Sequence, residues 1–367
     1  MPFDLIITCK LGLESLLAEE LRALGYQSLT VLNGEIHLKG DALVLARCNL
    51  WLRTAERVML KLAAFPAHTF DALFEGVRQV EWGSLLPADA RMRVMSTCID
   101  SQLQSPRTTQ SITKKAIVDA MQQAYQKDWF SEDGAEFKIF VDIIRDEAVV
   151  SLDSSGDGLH KRGYRAKGGM APLRETLAAG IVMLSGWRPS ETLVDPFCGS
   201  GTIPIEAAMI GANIAPGLRR MFAAESWPFI PANIWQKVRE EAQSKIRPDP
   251  FTIHASDIDG PILNIARDNA EKAGVAEHIQ FEAKAMEAFA PPAEPFVLIS
   301  NPPYGERMED VQAAETLYRQ MGEVLRPLKG AFYILTPHAE FQRLFGARAR
   351  KNRKLYNGKI RCYLYEY

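Results

Sequence analysis

Strand-like and helix-like segments alternate regularly between residues 192 and 337, and this rhythm constrains the fold more than any other feature of the sequence. The apolar runs TLVDPF, FTIHASDID, HIQFEAK, PFVLIS and AFYILTP are separated by segments with helical spacing, such as IPIEAAMIG and ILNIARDNAEKAG. Such alternation is typical of βαβ units around a parallel sheet. The tail RKLYNGKIRCYLYEY places Asn357-Gly358 between apolar runs, which predicts a hairpin. We therefore expect an α/β domain whose parallel sheet ends in one antiparallel hairpin.

The chain before residue 160 has an α+β pattern, with strands and helices in small groups. Strand-like stretches are FDLIITC, GEIHLKG, RMRVMST, EFKIFVDII and EAVVSLD, and LESLLAEELRALG has the pattern of an amphipathic helix that ends at Gly25. The segment SITKKAIVDAMQQAYQ has helical spacing, with Ser111 as its predicted N-cap. Two modules fit this region, with a boundary near Phe65-Pro66.

The segment between the first helix of the α/β domain and Phe251 is long for a simple connection. It carries Trp227, Pro228, Pro231 and Trp235. We expect an ordered insertion with its own helix, although its composition indicates no role.

Composition limits the classes of protein to consider. The 367 residues, 47% of them hydrophobic, suit two or three globular domains, and the net charge of −2 argues against a uniformly basic surface. Asp4 interrupts the apolar run of any secretory signal, and no stretch is long enough for a membrane span. The five cysteines form no C-x-x-C pair. We therefore expect a cytoplasmic protein without a metal site.

The segment LVDPFCGSGT, residues 193–202, has the form of a strand, an acidic residue, a glycine turn and a helix. Gly199 and Gly201 allow a ligand to lie against the main chain, and the start of the helix suits a carboxylate or phosphate. Pro204 stands where a dinucleotide fingerprint has its third glycine, and no Walker-type lysine follows. A glycine turn alone leaves a structural turn or another nucleotide open.

The second strand of the α/β domain ends in Ser256-Asp257-Ile258-Asp259. A carboxylate at such a strand end, beside the glycine turn, can accept the hydroxyl protons of a ribose. We assign this role to Asp257. Asp259 is equally well explained as the N-cap of the next helix.

The motif NPPYGER, residues 301–307, follows the apolar strand PFVLIS and is the most specific signal in the chain. A guanine amine is a poor nucleophile, because its lone pair is delocalised into the ring. The Asn301 side-chain carbonyl and a main-chain carbonyl held by Pro302 and Pro303 can orient that lone pair toward an electrophilic methyl group. Tyr304 can stack on a base that has left its helix. The alternative is an ordinary Pro-Pro turn with an exposed tyrosine.

DPFCGSGT together with NPPY resembles class I S-adenosylmethionine-dependent methyltransferases that modify exocyclic amines. One branch, the bacterial guanine-N2 RNA methyltransferases with a THUMP domain, is similar in further stretches: NLWLRTAERV (49–58), SLDSSGDGLHKRGYR (151–165), APLRETLAA (171–179) and IEAAMIGANIAPGLRR (205–220). The resemblance covers nearly the whole chain. The chain resembles the N-terminal methyltransferase half of the large bifunctional rRNA enzyme, here without the second methyltransferase domain of that enzyme.

This resemblance implies a domain organisation and a set of site residues. Residues 1–65 would be a ferredoxin-like subdomain, 66–160 a THUMP domain that docks RNA, and 161–367 a Rossmann-like methyltransferase domain with a mixed seven-stranded sheet. The target base would be held by Asn301, Pro302 and Tyr304. S-adenosylmethionine would be bound by Asp195, Phe197, Cys198, Gly199, Gly201, Thr202, Asp257, Ile258, Met286 and Asn301. The segment from Arg165 to Arg174 would flank the carboxylate end of the cofactor.

One position departs from the pattern of this family. Such enzymes commonly have an acid at the end of the third strand to bind the adenine amine, but Ala285 stands there, so either a main-chain group near Met286 substitutes or adenine binding is weaker. Cys198 invites comparison with the nucleophilic thiols of pyrimidine-C5 methyltransferases. Those enzymes need a cysteine that faces the base, and we interpret Cys198 as a small turn residue.

Several cations are candidates for RNA contacts. In the N-terminal region, Arg107, Lys114 and Lys115 flank an amphipathic helix. Near the C-terminus, a basic run that includes Arg353 and Lys354 could bind phosphates, although such runs are often solvated faces. Arg53 and Arg57 could instead be buried ion-pair partners.

The predicted partner is RNA, most simply 23S rRNA or a ribosome assembly intermediate, with tRNA as the alternative. A DNA amino-methyltransferase can share NPPY, and a catalytically silent RNA-binding protein is a further alternative. A thiouridine-forming enzyme would need a Ser-Gly-Gly-x-Asp-Ser loop, which the sequence lacks.

Overall fold

The computed structural model describes residues 2–165, 173–304 and 308–367. The elements before residue 160 are β1 (Phe3–Cys9), α1 (Glu14–Ala23), β2 (Thr30–Leu32), β3 (Glu35–Gly40), α2 (Ala42–Trp51), β4 (Ala55–Pro66), α3 (Phe70–Arg78), α4 (Trp82–Leu85), β5 (Arg91–Ile99), α5 (Pro106–Tyr125), β6 (Glu136–Ile144) and β7 (Glu147–Asp153). All five predicted strands are present. The first helix ends as predicted, since Gly25 follows it with a φ of 97°.

The seven N-terminal strands form one sheet in the order β2-β3-β1-β4-β7-β6-β5. β5 and β6 are parallel, and the other neighbours are antiparallel. The 12-residue strand β4 pairs with β1 through residues 55–61 and with β7 through residues 59–66. The two predicted modules on either side of Phe65-Pro66 therefore share a continuous sheet.

The prediction that Ser111 caps a helix is wrong. Helix α5 begins one and a half turns earlier, at Pro106, and the hydroxyl of Ser105 accepts a hydrogen bond from the amide of Thr108. Proline favours the first helical position, where no amide donor is needed. Ser111 lies inside the helix, and its hydroxyl donates to the carbonyl of Arg107.

The C-terminal half contains α6 (Glu175–Ser185), β8 (Thr192–Asp195), α7 (Thr202–Gly211), α8 (Ala232–Ser244), β9 (Ile253–Asp257), α9 (Gly260–Ala273), β10 (Ile279–Ala283), β11 (Phe296–Ser300), α10 (Met308–Leu325), β12 (Gly330–Thr336), α11 (Phe341–Phe345), β13 (Lys351–Asn357) and β14 (Ile360–Glu366). Short 3-10 turns occupy Ala223–Ser226, Ala276–His278 and Met286–Ala288. Among the described residues, no helix is both long and apolar enough to cross a membrane.

The second sheet is mixed and has seven strands, in the order β10-β9-β8-β11-β12-β14-β13. The first five strands are parallel, and β14 joins β12 in the antiparallel sense. The hairpin at Asn357-Gly358 closes the edge, with Asn357 opposite Ile360. One core packs α6, α7 and α9 against one face of the sheet, and another packs α10 and α11 against the opposite face. The predicted Rossmann-like α/β architecture is confirmed.

The insertion between α7 and β9 contains helix α8 and packs on the N-terminal region. The Trp227 ring stacks with that of Phe137 on β6 at 6.4 Å between centroids, and Trp235 belongs to the same core. Arg47 on α2 forms an ion pair with Glu241 on α8 at 2.7 Å. The insertion thus joins the two halves of the molecule, a role that its composition did not indicate.

Buried ionic groups also bridge the two halves. The Arg53 guanidinium donates to the carbonyl of Ile214 at 2.8 Å, and Arg162 donates to the carbonyl of Arg53 at 2.5 Å. Arg162 in turn pairs with Glu206 on α7, whose side chain is fully buried.

Within the N-terminal region, Arg57 pairs with Asp153 on β7. Both arginines of the NLWLRTAERV stretch therefore have structural partners.

Candidate active site

The two motifs singled out in the sequence follow neighbouring central strands. β8 and β11 are parallel, with Val194 opposite Leu298, and they end at the same edge of the sheet. The Ser300 hydroxyl donates to Asp195 Oδ1 at 2.6 Å. From β8 the chain continues to β9 and β10 on one side of the sheet, and from β11 it continues to β12 on the other side. Open parallel sheets bind ligands at the point where the strand order changes in this way. The glycine turn and the NPPY segment therefore start from one shared edge.

The glycine turn adopts a conformation that side chains would disfavour. Gly199 and Gly201 have φ angles of 52° and 85°, and Gly201 is the N-cap of α7. A Cβ on Gly201 would lie 3.2 Å from Ala266 and Ile205, so the turn also packs closely on α9. The 10-residue helix α7 points its N-terminal amides toward this turn, which favours an anionic group there.

Asp257 holds the glycine turn directly. Its Oδ2 accepts a hydrogen bond from the Gly199 amide at 2.9 Å, and its Oδ1 accepts one from the Asp259 amide at 3.0 Å. Asp259 caps α9 through a hydrogen bond from the Ile262 amide. The structure thus gives Asp259 its capping role and gives Asp257 a structural bond, with its remaining lone pairs at the strand end.

Asp195 is a buried carboxylate with one unused oxygen. Oδ1 accepts from Ser300 and from the Phe197 amide, whereas Oδ2 is buried and has no hydrogen-bond partner within the described residues. Burial raises the pKa of Asp195 to about 7, against the lowering effect of these two hydrogen bonds, and Asp257 raises it further. A cationic ligand at this edge would stabilise the ionised form.

The raised pKa of Asp195 predicts a pH-dependent stability. The folded protein holds this proton up to pH 7, whereas the unfolded chain releases it near pH 4, so the unfolding free energy falls across that window. The loss is up to about 4 kcal/mol above pH 7. Without cofactor, Asp195→Asn should melt several degrees above the wild type at pH 8.5 and show a smaller gain at pH 5. A difference that does not vary with pH would contradict this assignment, and Asp268→Asn on the exposed surface of α9 is the control.

Cys198 lacks the features of a nucleophile. Its side chain is buried, its thiol lies 3.8 Å from the Gly199 carbonyl, and burial raises the pKa of the thiol far above its usual value. The neutral thiol is therefore the stable form, which agrees with its interpretation as a small turn residue.

The NPPY segment presents an unpaired acceptor. Asn301 Oδ1 is buried and has no hydrogen-bond partner within the described part of the chain. An unsatisfied buried carbonyl costs free energy unless a ligand supplies a donor. Pro302 is buried and Tyr304 is half-buried. The remainder of the motif, residues 305–307, lies outside the described residues.

A polar cluster borders the start of α7. Arg165 donates to Thr202 Oγ1 at 2.5 Å and forms an ion pair with Glu175 at 3.4 Å. Residues 166–172, in the segment predicted to flank the cofactor carboxylate, lie outside the described residues. Arg165 and Arg174 line a hollow of about 760 Å³ next to this cluster.

Two of the predicted cofactor residues, Ile258 and Met286, differ in accessibility. Ile258 follows Asp257 and is 78% exposed, which suits a flat apolar ligand. The Met286 side chain is buried in the core beneath α10. A contact from this position would therefore use the main chain, in line with the absence of an acid at Ala285.

The predicted RNA-binding cations are spread over two surfaces. Arg107 and Lys115 are exposed on α5, whereas Lys114 pairs with Glu132 at 2.7 Å. On the C-terminal hairpin, Lys354 is exposed, whereas Arg353 pairs with Glu366 at 3.3 Å. Lys114 and Arg353 are thus partly neutralised.

Two buried hydroxyls at the site were missed by the sequence reasoning. Ser300 ends β11, and Tyr318 on α10 donates to the carbonyl of Pro303 at 3.0 Å. Each residue matches the pattern of an ordinary core position, so no signal in one sequence distinguishes them. Within the described residues, no group of three or more His, Cys, Asp or Glu side chains could hold a metal ion.

Comparison with known proteins finds matches along the whole chain. Residues 162–366 match the family described as "RMKL-like, methyltransferase domain", residues 67–153 the THUMP domain, and residues 4–59 the "RlmL ferredoxin-like domain". The "Putative RNA methyltransferase YpsC" of Bacillus subtilis (strain 168) is 45% identical over 369 residues. The alignment covers 100% of this chain and 96% of that relative.

Solved structures match over the same length. One is described as "a predicted N6-adenine-specific DNA methylase from Listeria monocytogenes str. 4b F2365", with 42% identity and a TM-score of 0.94, covering 100% of this chain and 96% of that one. Another is "SMU.472, a putative methyltransferase complexed with SAH", with 41% identity and a TM-score of 0.93, covering 100% and 98% of the two chains.

Proposed function

This chain belongs to the RMKL-like methyltransferase family with a THUMP domain and is an S-adenosylmethionine-dependent RNA methyltransferase, and we propose that it methylates the exocyclic N2 amine of guanosine. The observation that carries this proposal is the buried Asn301 Oδ1, which has no hydrogen-bond partner among the described residues and lies at the edge shared with the glycine turn. An acceptor in this position fits an amine substrate, which has protons to donate.

The residues at this edge fit the cofactor. We propose that the amino-acid end of the cofactor binds to the turn around Gly199 and Gly201, to Thr202 and to Asp195. The Oδ2 of Asp195, which has no partner among the described residues, can accept a hydrogen bond from an ammonium group. Asp257 would accept from the ribose hydroxyls, and Ile258 would cover the adenine ring. Phe197 and Cys198 would contribute main-chain contacts, as would Met286.

Catalysis would rest on holding the base. S-adenosylmethionine supplies an electrophilic methyl group on a sulfonium. Asn301 Oδ1 and the Pro302 carbonyl would each accept a hydrogen bond from one N–H of the amine, which directs the nitrogen lone pair out of the ring plane. Tyr304 would stack on the extruded guanine. The nitrogen, once methylated, would carry a positive charge and be acidic, so that it would lose one proton to water and no strong base would be required.

The substrate that we propose is 23S rRNA, free or within an assembling particle, with tRNA as the alternative. The basis for rRNA is the sequence resemblance to the large bifunctional rRNA enzyme, and residues 4–59 match a ferredoxin-like domain of the kind that this resemblance implies. We propose that residues 1–65 and 66–160 act as the ferredoxin-like and THUMP domains and 161–367 as the methyltransferase domain. RNA phosphates would contact Arg107, Lys115 and Lys354 most directly, and the reaction would occur in the cytoplasm.

The decisive experiment compares modified nucleosides in RNA from cells with and without the gene. We expect N2-methylguanosine at one position of 23S rRNA to disappear in the deletion strain and to return when the gene is restored. Purified protein should transfer labelled methyl groups to that RNA and not to DNA. Transfer to adenine N6 in DNA, as the name of the Listeria protein describes, would replace the proposal with a DNA amino-methyltransferase.

A further inference from the structure

The two prolines of the NPPY segment supply no backbone hydrogen-bond donor. Pro302 and Pro303 have no amide hydrogen, so at these two positions the main chain offers only carbonyl groups. Side-chain hydrogen bonds from the surrounding structure therefore matter for holding the segment. A buried hydroxyl makes such a bond at each end, from Ser300 to Asp195 and from Tyr318 to the Pro303 carbonyl.

Ser300 ties the start of the segment to the cofactor side. It is the last residue of β11 and is fully buried, and its hydroxyl donates to Asp195 Oδ1 at 2.6 Å. The same oxygen accepts from the amide of Phe197, at the start of the glycine turn, at 3.1 Å. One carboxylate oxygen thereby links the residue preceding Asn301 to the turn that follows β8.

Tyr318 ties the other end to α10. Its side chain is fully buried, and its hydroxyl donates to the Pro303 carbonyl at 3.0 Å while lying 3.0 Å from Thr336 Oγ1. The rings of His338 and Phe341 pack edge-on against it, with centroids at 5.5 and 4.9 Å. These contacts restrict rotation of the phenol ring and keep its hydroxyl beside the Pro303 carbonyl.

We propose that Ser300 and Tyr318 are positioning residues that clamp the two ends of the Asn301-Pro302-Pro303 segment. Neither needs to touch the substrate, and the inference rests on the proposed role of Asn301 in holding an amine. Because the Tyr318 hydroxyl already donates a hydrogen bond to the Pro303 carbonyl, the Pro302 carbonyl is the main-chain group that would accept a hydrogen bond from the substrate amine. A displacement of about 1 Å at a reacting group can lower a rate about 100-fold.

Tyr318→Phe tests the clamp, since it removes one oxygen and leaves the ring in place. We expect kcat to fall about 10- to 100-fold, with the Kd for S-adenosylmethionine changed less than about 2-fold. Tyr125→Phe is the matched control, because its hydroxyl also donates to main-chain carbonyls, those of Gly83 and Leu86, in the N-terminal region. Both variants should lose similar thermal stability, but only the first should lose turnover.

Ser300→Ala should change cofactor binding as well as turnover, which distinguishes this end of the clamp from the Tyr318 end. Since Ser300 bonds to Asp195, its loss should weaken cofactor binding several-fold and also lower kcat. Wild-type turnover in Tyr318→Phe, or an equal loss in Tyr125→Phe, would overturn the clamp. A different result would contradict the proposed function, namely that the wild-type protein methylates another amine. In that case the same variants can be assayed with that amine as the methyl acceptor, so that the clamp is still tested.

Discussion

Asn301→Ala should lower kcat by on the order of 10³-fold while leaving the Kd for S-adenosylmethionine nearly unchanged. The variant removes the buried Oδ1 that has no partner within the described residues, and with it the acceptor that would orient the target amine. Orientation is the main source of catalysis in a direct displacement, so its loss affects the rate more than binding. Single-turnover methyl transfer and calorimetric cofactor titration measure the two quantities.

The matched control is Asn264→Ala, which removes an exposed asparagine from α9. It should behave as the wild type in both assays. Turnover of Asn301→Ala within about 10-fold of the wild type would remove Asn301 from the catalytic machinery. A large loss of cofactor affinity in this variant would instead make Asn301 primarily a cofactor ligand.

The sequence predicted the parts of the fold that depend on local pattern. The strand and helix alternation after residue 192 led to the parallel sheet, and Asn357-Gly358 led to the edge hairpin, where Gly358 has a φ of 63°. The shared edge of β8 and β11 follows from a general rule, because the carboxyl ends of parallel strands lie together. The sequence therefore indicated where the site would be.

The contacts that depend on distant parts of the chain were not predictable. The helical spacing of the sequence predicts a start at Ser111, whereas the helix starts at Ser105-Pro106, where the capping hydroxyl and the proline act together. Tyr318 lies 15 residues beyond Pro303, and its bond depends on how α10 packs on the sheet. The insertion around Trp227 and Trp235 acquires its role only through the N-terminal core on which it packs.

Stability should depend strongly on the buried ion pair between Arg162 and Glu206, which lies at the junction of the two halves of the molecule. Glu206 accepts from Arg162 Nε at 3.3 Å and from the Tyr164 hydroxyl at 3.2 Å, and the Arg162 side chain is only 2% exposed. Arg162 also donates to the Arg53 carbonyl in the N-terminal region. Removal of the carboxylate would leave a buried guanidinium without its counter-charge.

Glu206→Ala should therefore destabilise the protein by about 3–5 kcal/mol, because an uncompensated buried charge costs far more than a lost surface contact. Glu206→Gln keeps an acceptor for the Tyr164 hydroxyl and should lose less. Glu340→Ala, which breaks the exposed pair with Arg343, is the control and should cost less than about 1 kcal/mol. Chemical denaturation followed by tryptophan fluorescence measures all three. Equal losses in Glu206→Ala and Glu340→Ala would show that the junction does not depend on this pair.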